Sequence, residues 1–296
     1  AVSYIMDIYR KKTYANKNYI EFATYLCMFP QLVAGPIVRY IDIESQFSNR
    51  KPQINAVSSG IERFIIGLSK KVLIANTMAQ IADEIFNTNI SEISTPIAWI
   101  GAFAYAMQIY FDFSGYSDMA IGLGRIFGYN FPENFNYPYI SNSIKEFWRR
   151  WHISLSSWFR DYLYIPLGGN RVGKIRTFFN LFIVFFVTGL WHGASWNFIV
   201  WGLWHGTFLI IERIGWTKVL EKSNSVIQHL YTLTIVLIGW VIFRADNLHI
   251  AWDFIYKMFS FDFNNSYYTQ YAKIMTINSF NVLIAILAIV LSFPIY

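Results

Sequence analysis

Three of the five histidines in this 296-residue chain fall between Lys145 and Gly206. They are His152 in Trp148-Arg149-Arg150-Trp151-His152, His192 in Trp191-His192-Gly193, and His205 in Trp204-His205-Gly206. An imidazole titrates near pH 6.5 and exchanges a proton close to neutrality. The run Thr177–Leu190, which leads into His192, is too apolar for the surface of a soluble protein. An ionisable residue against such a run needs a partner and marks a candidate functional site. The chemistry that fits a neutral imidazole there is general-base removal of a proton from a hydroxyl. Gly193 and Ala194 leave room for a substrate, while Trp191, Trp196 and Asn197 offer an aromatic wall and a hydrogen-bonding amide. His205, beside Gly206, reads as structural.

Rival chemistries fit less well. A zinc site favours closely spaced ligands, as in His-Glu-x-x-His, and no acid lies between His192 and His205, so no metal is expected. Gly193-Ala194-Ser195-Trp196-Asn197 does not match the Gly-x-Ser-x-Gly of a serine hydrolase, and the chain has no Gly-rich phosphate loop ending in Lys-Ser/Thr. The single cysteine, Cys27, excludes an intrachain disulfide and a cysteine-rich metal site; it reads as a small packed apolar residue.

The elements that must position these histidines belong to a membrane protein. Hydrophobic residues make up 55% of the chain and charged ones 14%, with a mean hydropathy of +0.33, whereas soluble domains carry about 25% charged residues. Aromatic residues reach 20%, as suits Trp and Tyr at many bilayer interfaces. The net charge of +6 comes from short basic clusters between apolar runs, which mark cytoplasmic loops and give no reason to expect nucleic acid as a partner. Between Lys145 and Arg176 the basic residues outnumber Glu146 and Asp161, which places that segment on the cytoplasmic side.

On one continuous helix, Trp148, Trp151, Leu155, Trp158 and Tyr162 would form an aromatic stripe, with Arg149, His152 and Ser156 on another face. That pattern predicts an amphipathic interfacial helix, in which His152 is either a structural hydrogen-bonder or part of the site. Arg171, Lys174 and Arg176 precede Thr177–Leu190, and Arg213, Lys218 and Lys222 follow the apolar run Trp196–Ile211. Both flanks ask for the same side, so the two runs form a hairpin with Trp191–Ser195 at its apex. As a helix the first run rises about 21 Å, less than the roughly 30 Å of a hydrocarbon core, which predicts His192 within the thickness of the membrane.

Elsewhere, Ala1–Lys17 reads as an interfacial segment and Tyr19–Val33 as a membrane segment. It ends at Phe29–Pro36, where two prolines preclude a continuous helix and predict re-entrant backbone. Tyr40–Asn55 is a polar loop. Gly60–Ile81 runs along the interface with Lys70 and Lys71 snorkelling to water, and Ile97–Phe113 is a clean span. Asp112 and Asp118, in the glycine-rich stretch Phe111–Gly124, predict a helix break whose acids cap the next helix, with a direct role in the site as the alternative. Phe131–Ser143 and the charged stretch Glu212–Lys222 read as loops. A span at Tyr231–Phe243, an amphipathic turn at Ala251–Phe261, a polar loop at Asp262–Thr276 and an apolar tail at Asn281–Tyr296 complete the chain. The fold class expected is all-α: a polytopic multi-helix bundle forming one membrane-embedded domain over 1–296. The chain opens without Met and its tail stops without a polar flank, so a longer parent protein is expected.

The chain resembles the membrane-bound O-acyltransferase family, nearest its bacterial branch of alginate and peptidoglycan O-acetyltransferases and, more distantly, teichoic acid D-alanyl transferases. The resemblance rests on Phe29–Ile37, Phe111–Ala120, Phe147–Leu155, Tyr164–Arg171, Gly189–Ala194 and Trp240–Ala245, taken in that order. It implies a helical membrane fold around a central tunnel, with His192 matching the family's catalytic histidine and His152 its second important one. It also implies an activated acyl donor from the cytoplasm, such as acetyl-CoA, that acts as substrate without any bound cofactor. Arg149 with Arg150 would hold that anionic donor, and Trp151, Trp191 and Asn197 would line the substrate site. The acceptor would be a polysaccharide hydroxyl, reached directly or through an extracytoplasmic partner protein that relays the acetyl group, at a bacterial cytoplasmic membrane crossed several times. The segment Pro166-Leu167-Gly168-Gly169-Asn170-Arg171 resembles the acetyl-transferring branch, which favours acetyl over D-alanyl. A transporter or flippase that relays protons through buried histidines is the rival class, although the chain has no internal repeat of the kind many transporters show.

Overall fold

A 32-residue helix, Thr95–Ile126, forms an axis against which five other helices pack. The structure is a computed structural model that describes residues 1–32, 34–49, 53–263 and 279–294, and among these no strand occurs. In chain order the helices are α1 (Val2–Tyr9), α2 (Tyr19–Leu26), α3 (Tyr40–Asn49), α4 (Ile54–Ser69), α5 (Asn76–Asn87) and α6 (Thr95–Ile126). They continue as α7 (Ile144–Arg150), α8 (Ile153–Phe159), α9 (Lys174–His192), α10 (Trp196–Ile211), α11 (Thr217–Leu220), α12 (Ser225–Arg244), α13 (Leu248–Met258) and α14 (Ser279–Leu291).

The glycines that suggested a break after Phe113 serve contact instead. A Cβ on Gly115 would stand 2.7 Å from the Gly67 carbonyl oxygen, and one on Gly67 2.5 Å from that of Gly115, so α4 and α6 touch backbone to backbone. The helix therefore runs unbroken through Asp112 and Asp118, and neither acid caps anything. Asp118 accepts ion pairs from Arg63 and Lys70, each at 2.6 Å, and Asp112 pairs with Lys71. The two lysines expected to reach water thus meet acids on α6, within a π-turn, Lys70–Ala75, that joins α4 to α5.

Close approach also builds the α9–α10 hairpin. A Cβ on Gly189 would lie 2.4 Å from the Phe198 carbonyl oxygen, and one on Gly202 2.3 Å from that of Phe185. Among the described residues, helices α9 and α12 are the two that are long and apolar enough to cross a membrane, and α14 is a shorter apolar helix. Phe179, Phe182 and Leu190 on α9 and Val226, Ile227 and Leu230 on α12 face outward. Arg244, at the end of α12, pairs with Asp83 of α5 at 2.7 Å.

Other local expectations shift. Helix α2 with the 3-10 turn Phe29–Gln31 is shorter than the span expected over Tyr19–Val33, and Val33 lies outside the described residues. The stretch Tyr40–Asn55 opens with α3, while the Ala251–Phe261 turn becomes α13. Residues 264–276 of the expected polar loop also lie outside the described residues, and the apolar tail is helical as α14.

Candidate active site

The segment carrying His152 bends where one helix was expected. Helix α7 opens with Ser143, whose Oγ accepts from the Glu146 N–H at 3.0 Å, and Glu146 in turn accepts from the Asn142 N–H. It ends at Arg150. Trp151 is extended, and His152 takes a left-handed conformation with φ of 43° before α8 starts. The predicted single stripe is thereby split. Trp148 and Trp151 turn into the core, with Trp151 packed among Tyr110, Phe135, Phe147 and Trp240. The break is stabilised from outside the helix. The Ile153 N–H donates to the Asn134 carbonyl at 2.9 Å and the Ser154 N–H to Asn134 Oδ1 at 3.3 Å, so Asn134 supplies the cap that α8 lacks in its own sequence. A left-handed non-glycine residue costs on the order of 1 kcal/mol or more, and such residues cluster at functional sites.

Asn134 lies at the centre of a polar cluster. Its Oδ1 meets Ser154 Oγ at 2.8 Å and His152 Nδ1 at 3.0 Å, and its Nδ2 donates to Ser117 Oγ of α6 at 3.0 Å. Ser154 Oγ accepts from the Ile37 N–H at 2.9 Å, which ties the proline-broken segment to the same cluster. His152 is 4% exposed. Burial holds its imidazole far below the ordinary range, to about 3, and nearby His192 adds to the effect, so the ring is neutral at physiological pH.

His192 ends α9, and its half-buried ring stands in a box of aromatic side chains. Ring centroids lie 4.9 Å from Trp191, 4.9 Å from Trp201, 5.2 Å from Phe243 and 6.3 Å from Phe198. A Cβ on Gly193 would lie 2.7 Å from the Phe198 ring, so glycine is required where the hairpin turns. Trp191, 55% exposed, also stands 6.5 Å from His152, and so borders both histidines. The fold thus brings His152, Trp191 and His192 together.

The remaining candidates are placed differently. Asn197 is buried and its Nδ2 donates to the Ala245 carbonyl, which ties α10 to the end of α12. Arg149 is exposed on the last turn of α7, whereas Arg150 is bound to Glu146 and the Asn136 carbonyl. His205 is fully buried among Phe147, Trp148 and Trp201, and a Cβ on Gly239 would lie 2.6 Å from its Nε2.

Sequence reasoning passed over four residues that shape the site: Ser117, Asn134, Ser154 and Glu212. Glu212, read as part of a charged loop, is 3% exposed and accepts from the Ile144 and Lys145 N–H groups at 2.7 and 3.0 Å, capping α7. The signal available was polarity out of place: a lone acid directly after an apolar helix.

A cavity of about 790 Å³ opens between α4, α6 and α14 and contains neither histidine. It meets the His152 cluster only at Ser117, Asn134 and Ile153.

Comparison with known proteins gives a consistent picture. The model of the membrane-bound O-acyltransferase family matches residues 12–226. A protein named probable alginate O-acetylase AlgI, from Azotobacter vinelandii, is 49% identical over 261 residues, covering 88% of this chain and 52% of that protein. The peptidoglycan O-acetyltransferase of Helicobacter pylori is 42% identical over 79% of this chain and 45% of its own length. The teichoic acid D-alanyltransferase of Bacillus subtilis is 29% identical over 76% of this chain and 61% of its own. The chain spans about half the length of these two O-acetyl-transferring relatives.

Proposed function

The chain belongs to the membrane-bound O-acyltransferase family, and from that premise we propose that it transfers an acetyl group from an activated donor to a hydroxyl of a cell-envelope or exported polysaccharide. The observation that carries this reading is the placement of His192 at the apex of the α9–α10 hairpin, in an aromatic box shared through Trp191 with His152. The accepting hydroxyl gives its proton to His192 as its oxygen bonds to the acyl carbon. With a thioester donor such as acetyl-CoA, the C–S bond then breaks and the departing thiolate takes up the proton. The aromatic walls exclude water that would otherwise compete as acceptor.

Arg149, exposed at the end of α7, is the group suited to hold an anionic donor at the cytoplasmic mouth. The acceptor meets the acyl group from the other side of the membrane, directly or through a partner that relays it. The apolar outer faces of α9 and α12 fit a protein that crosses the bacterial cytoplasmic membrane several times, with a tunnel joining the two approaches. Higher identity to the two acetyl-transferring relatives than to the D-alanyl one supports acetyl as the group moved.

Replacing His192 with Ala in the full-length protein should abolish transfer of radiolabelled acetyl in membranes while leaving membrane abundance unchanged. Near-normal transfer by that variant would remove the mechanism. Movement of a solute without any acetyl transfer by the unaltered protein would favour the transporter reading.

A further inference from the structure

The cluster around Asn134 fixes more than the backbone, because its hydrogen bonds can be assigned a direction one by one. A backbone N–H can only donate. The Ser154 N–H faces the outer atom of the Asn134 amide, so that atom is the oxygen and not the nitrogen. The Ile37 N–H occupies Ser154 Oγ as a donor, so the Ser154 hydroxyl proton can point at the same Asn134 oxygen, 2.8 Å away, or at His152 Nδ1, 3.5 Å away, and the shorter contact takes it. On the other side, Asn134 Nδ2 donates to Ser117. Every neighbour of Asn134 Oδ1 is therefore a donor, and His152 Nδ1, at 3.0 Å, must carry a proton to be stable there. A bare Nδ1 would set two lone pairs against each other inside a buried site, where an unmade hydrogen bond is costly.

We propose that Asn134 is a positioning residue that locks His152 as the Nδ1–H tautomer, so that its Nε2 meets substrate only as a hydrogen-bond acceptor. The consequence reverses the role a second histidine would otherwise be given. A neutral imidazole with a bare Nε2 has no proton to offer the acyl carbonyl. It instead takes a hydrogen bond from an O–H or N–H of a substrate, either the accepting hydroxyl or an amide on the arm of the donor. That substrate role rests on the acyltransferase reading, whereas the tautomer does not.

The test begins with the tautomer itself. Full-length protein carrying 15N-labelled histidine is examined by multiple-bond 15N–1H spectroscopy, with the His152 signals assigned by their loss in His152→Gln. The expected spectrum has a protonated Nδ1 and a bare Nε2. In Asn134→Ala that preference should disappear and acetyl transfer should fall about a hundredfold, the scale of a misplaced catalytic group. In Asn134→Asp an acceptor oxygen remains and the Ser117 hydroxyl is free to turn and donate, so the tautomer and most of the transfer should return. A rise in KM for the donor alone would identify the donor amide as the group held, and a rise for the acceptor alone would identify the hydroxyl. A protonated Nε2 in the unaltered protein overturns the proposal, as does an Asn134→Ala variant that keeps both the tautomer and full transfer. The expected tautomer in a protein that moves no acetyl group would support this assignment and overturn the acyltransferase reading instead.

Discussion

The elbow at His152 and the apex at His192 solve opposite problems. At the elbow, hydrogen bonds among Ile37, Ser117, Asn134 and Ser154 converge, with Ser117 accepting from the Asn134 amide, and the imidazole is 4% exposed. At the apex the imidazole is half-buried and bounded by rings, with the exposed indoles of Trp191 and Trp196 on either side of the turn. Polar bonds fix direction, because they fail steeply with angle. Aromatic walls fix shape and leave a nitrogen able to engage whatever enters. In the proposed mechanism the elbow orients and the apex receives.

The largest contrast should appear in rates. Against the complete loss expected for His192→Ala, His152→Gln should retain a measurable fraction, with transfer down about 10- to 100-fold, because loss of the general base costs up to about 10⁴-fold whereas a misplaced substrate costs about 10²-fold. Equal losses in a radiolabelled acetyl assay would erase the distinction between the two regions. Next in size is the hairpin itself. Gly189→Val drives a side chain into the Phe198 carbonyl, 2.4 Å from where a Cβ would stand, and should cost about 3 kcal/mol or more as an overpacked contact. Thermal unfolding in detergent would register this as a large drop. An unchanged melting temperature would mean that the apex does not depend on the close approach of α9 and α10.

A smaller effect separates two carboxylates on α6. The Asp118 side chain is 7% exposed between Arg63 and Lys70, so Asp118→Asn takes the acid from Lys70 and leaves Arg63 with Glu133 alone, and should cost about 1–3 kcal/mol. Asp112, whose side chain is 48% exposed, should cost under about 1 kcal/mol on the same change. Similar unfolding shifts for the two would show that burial of the pair is not what matters. The smallest effect lies beyond the elbow, where Arg39 reaches Asp161 at 2.7 Å. Burial alone would raise the Asp161 carboxyl, but Arg160 and Arg39 carry it below the ordinary carboxylate range. Its contribution is therefore present above about pH 4 and is lost as the pH falls through the lowered folded value. Asp161→Asn should flatten that acid limb slightly in a plot of melting temperature against pH, and an unaltered limb would show that the pair contributes nothing.

Much of the helical architecture was legible without coordinates. The apolar runs Thr177–Leu190 and Trp196–Ile211 lie inside α9 and α10, and Tyr231–Phe243 lies inside α12. The glycine-rich stretch on α6 was misread because a glycine that breaks a helix and one that lets a neighbouring helix approach look alike in a single strand of sequence. Glu212 was misread for a related reason: a charge at a helix end suggests water until the element it caps is known.

The sequence by itself determined the apex, because hydropathy and flanking charge are local properties and both hairpin arms carry them. It also determined which histidine stands at the turn. Only the tertiary structure decided the elbow. Asn134 and His152 are separated by a loop and a helix, and no periodicity predicts that an amide will reach across to cap α8, bend the chain into a left-handed residue and choose which imidazole nitrogen carries the proton. Hydrogen-bond direction depends on where donors converge in space, and that is settled only when Ile37, Ser117, Asn134 and Ser154 have been brought together by folding.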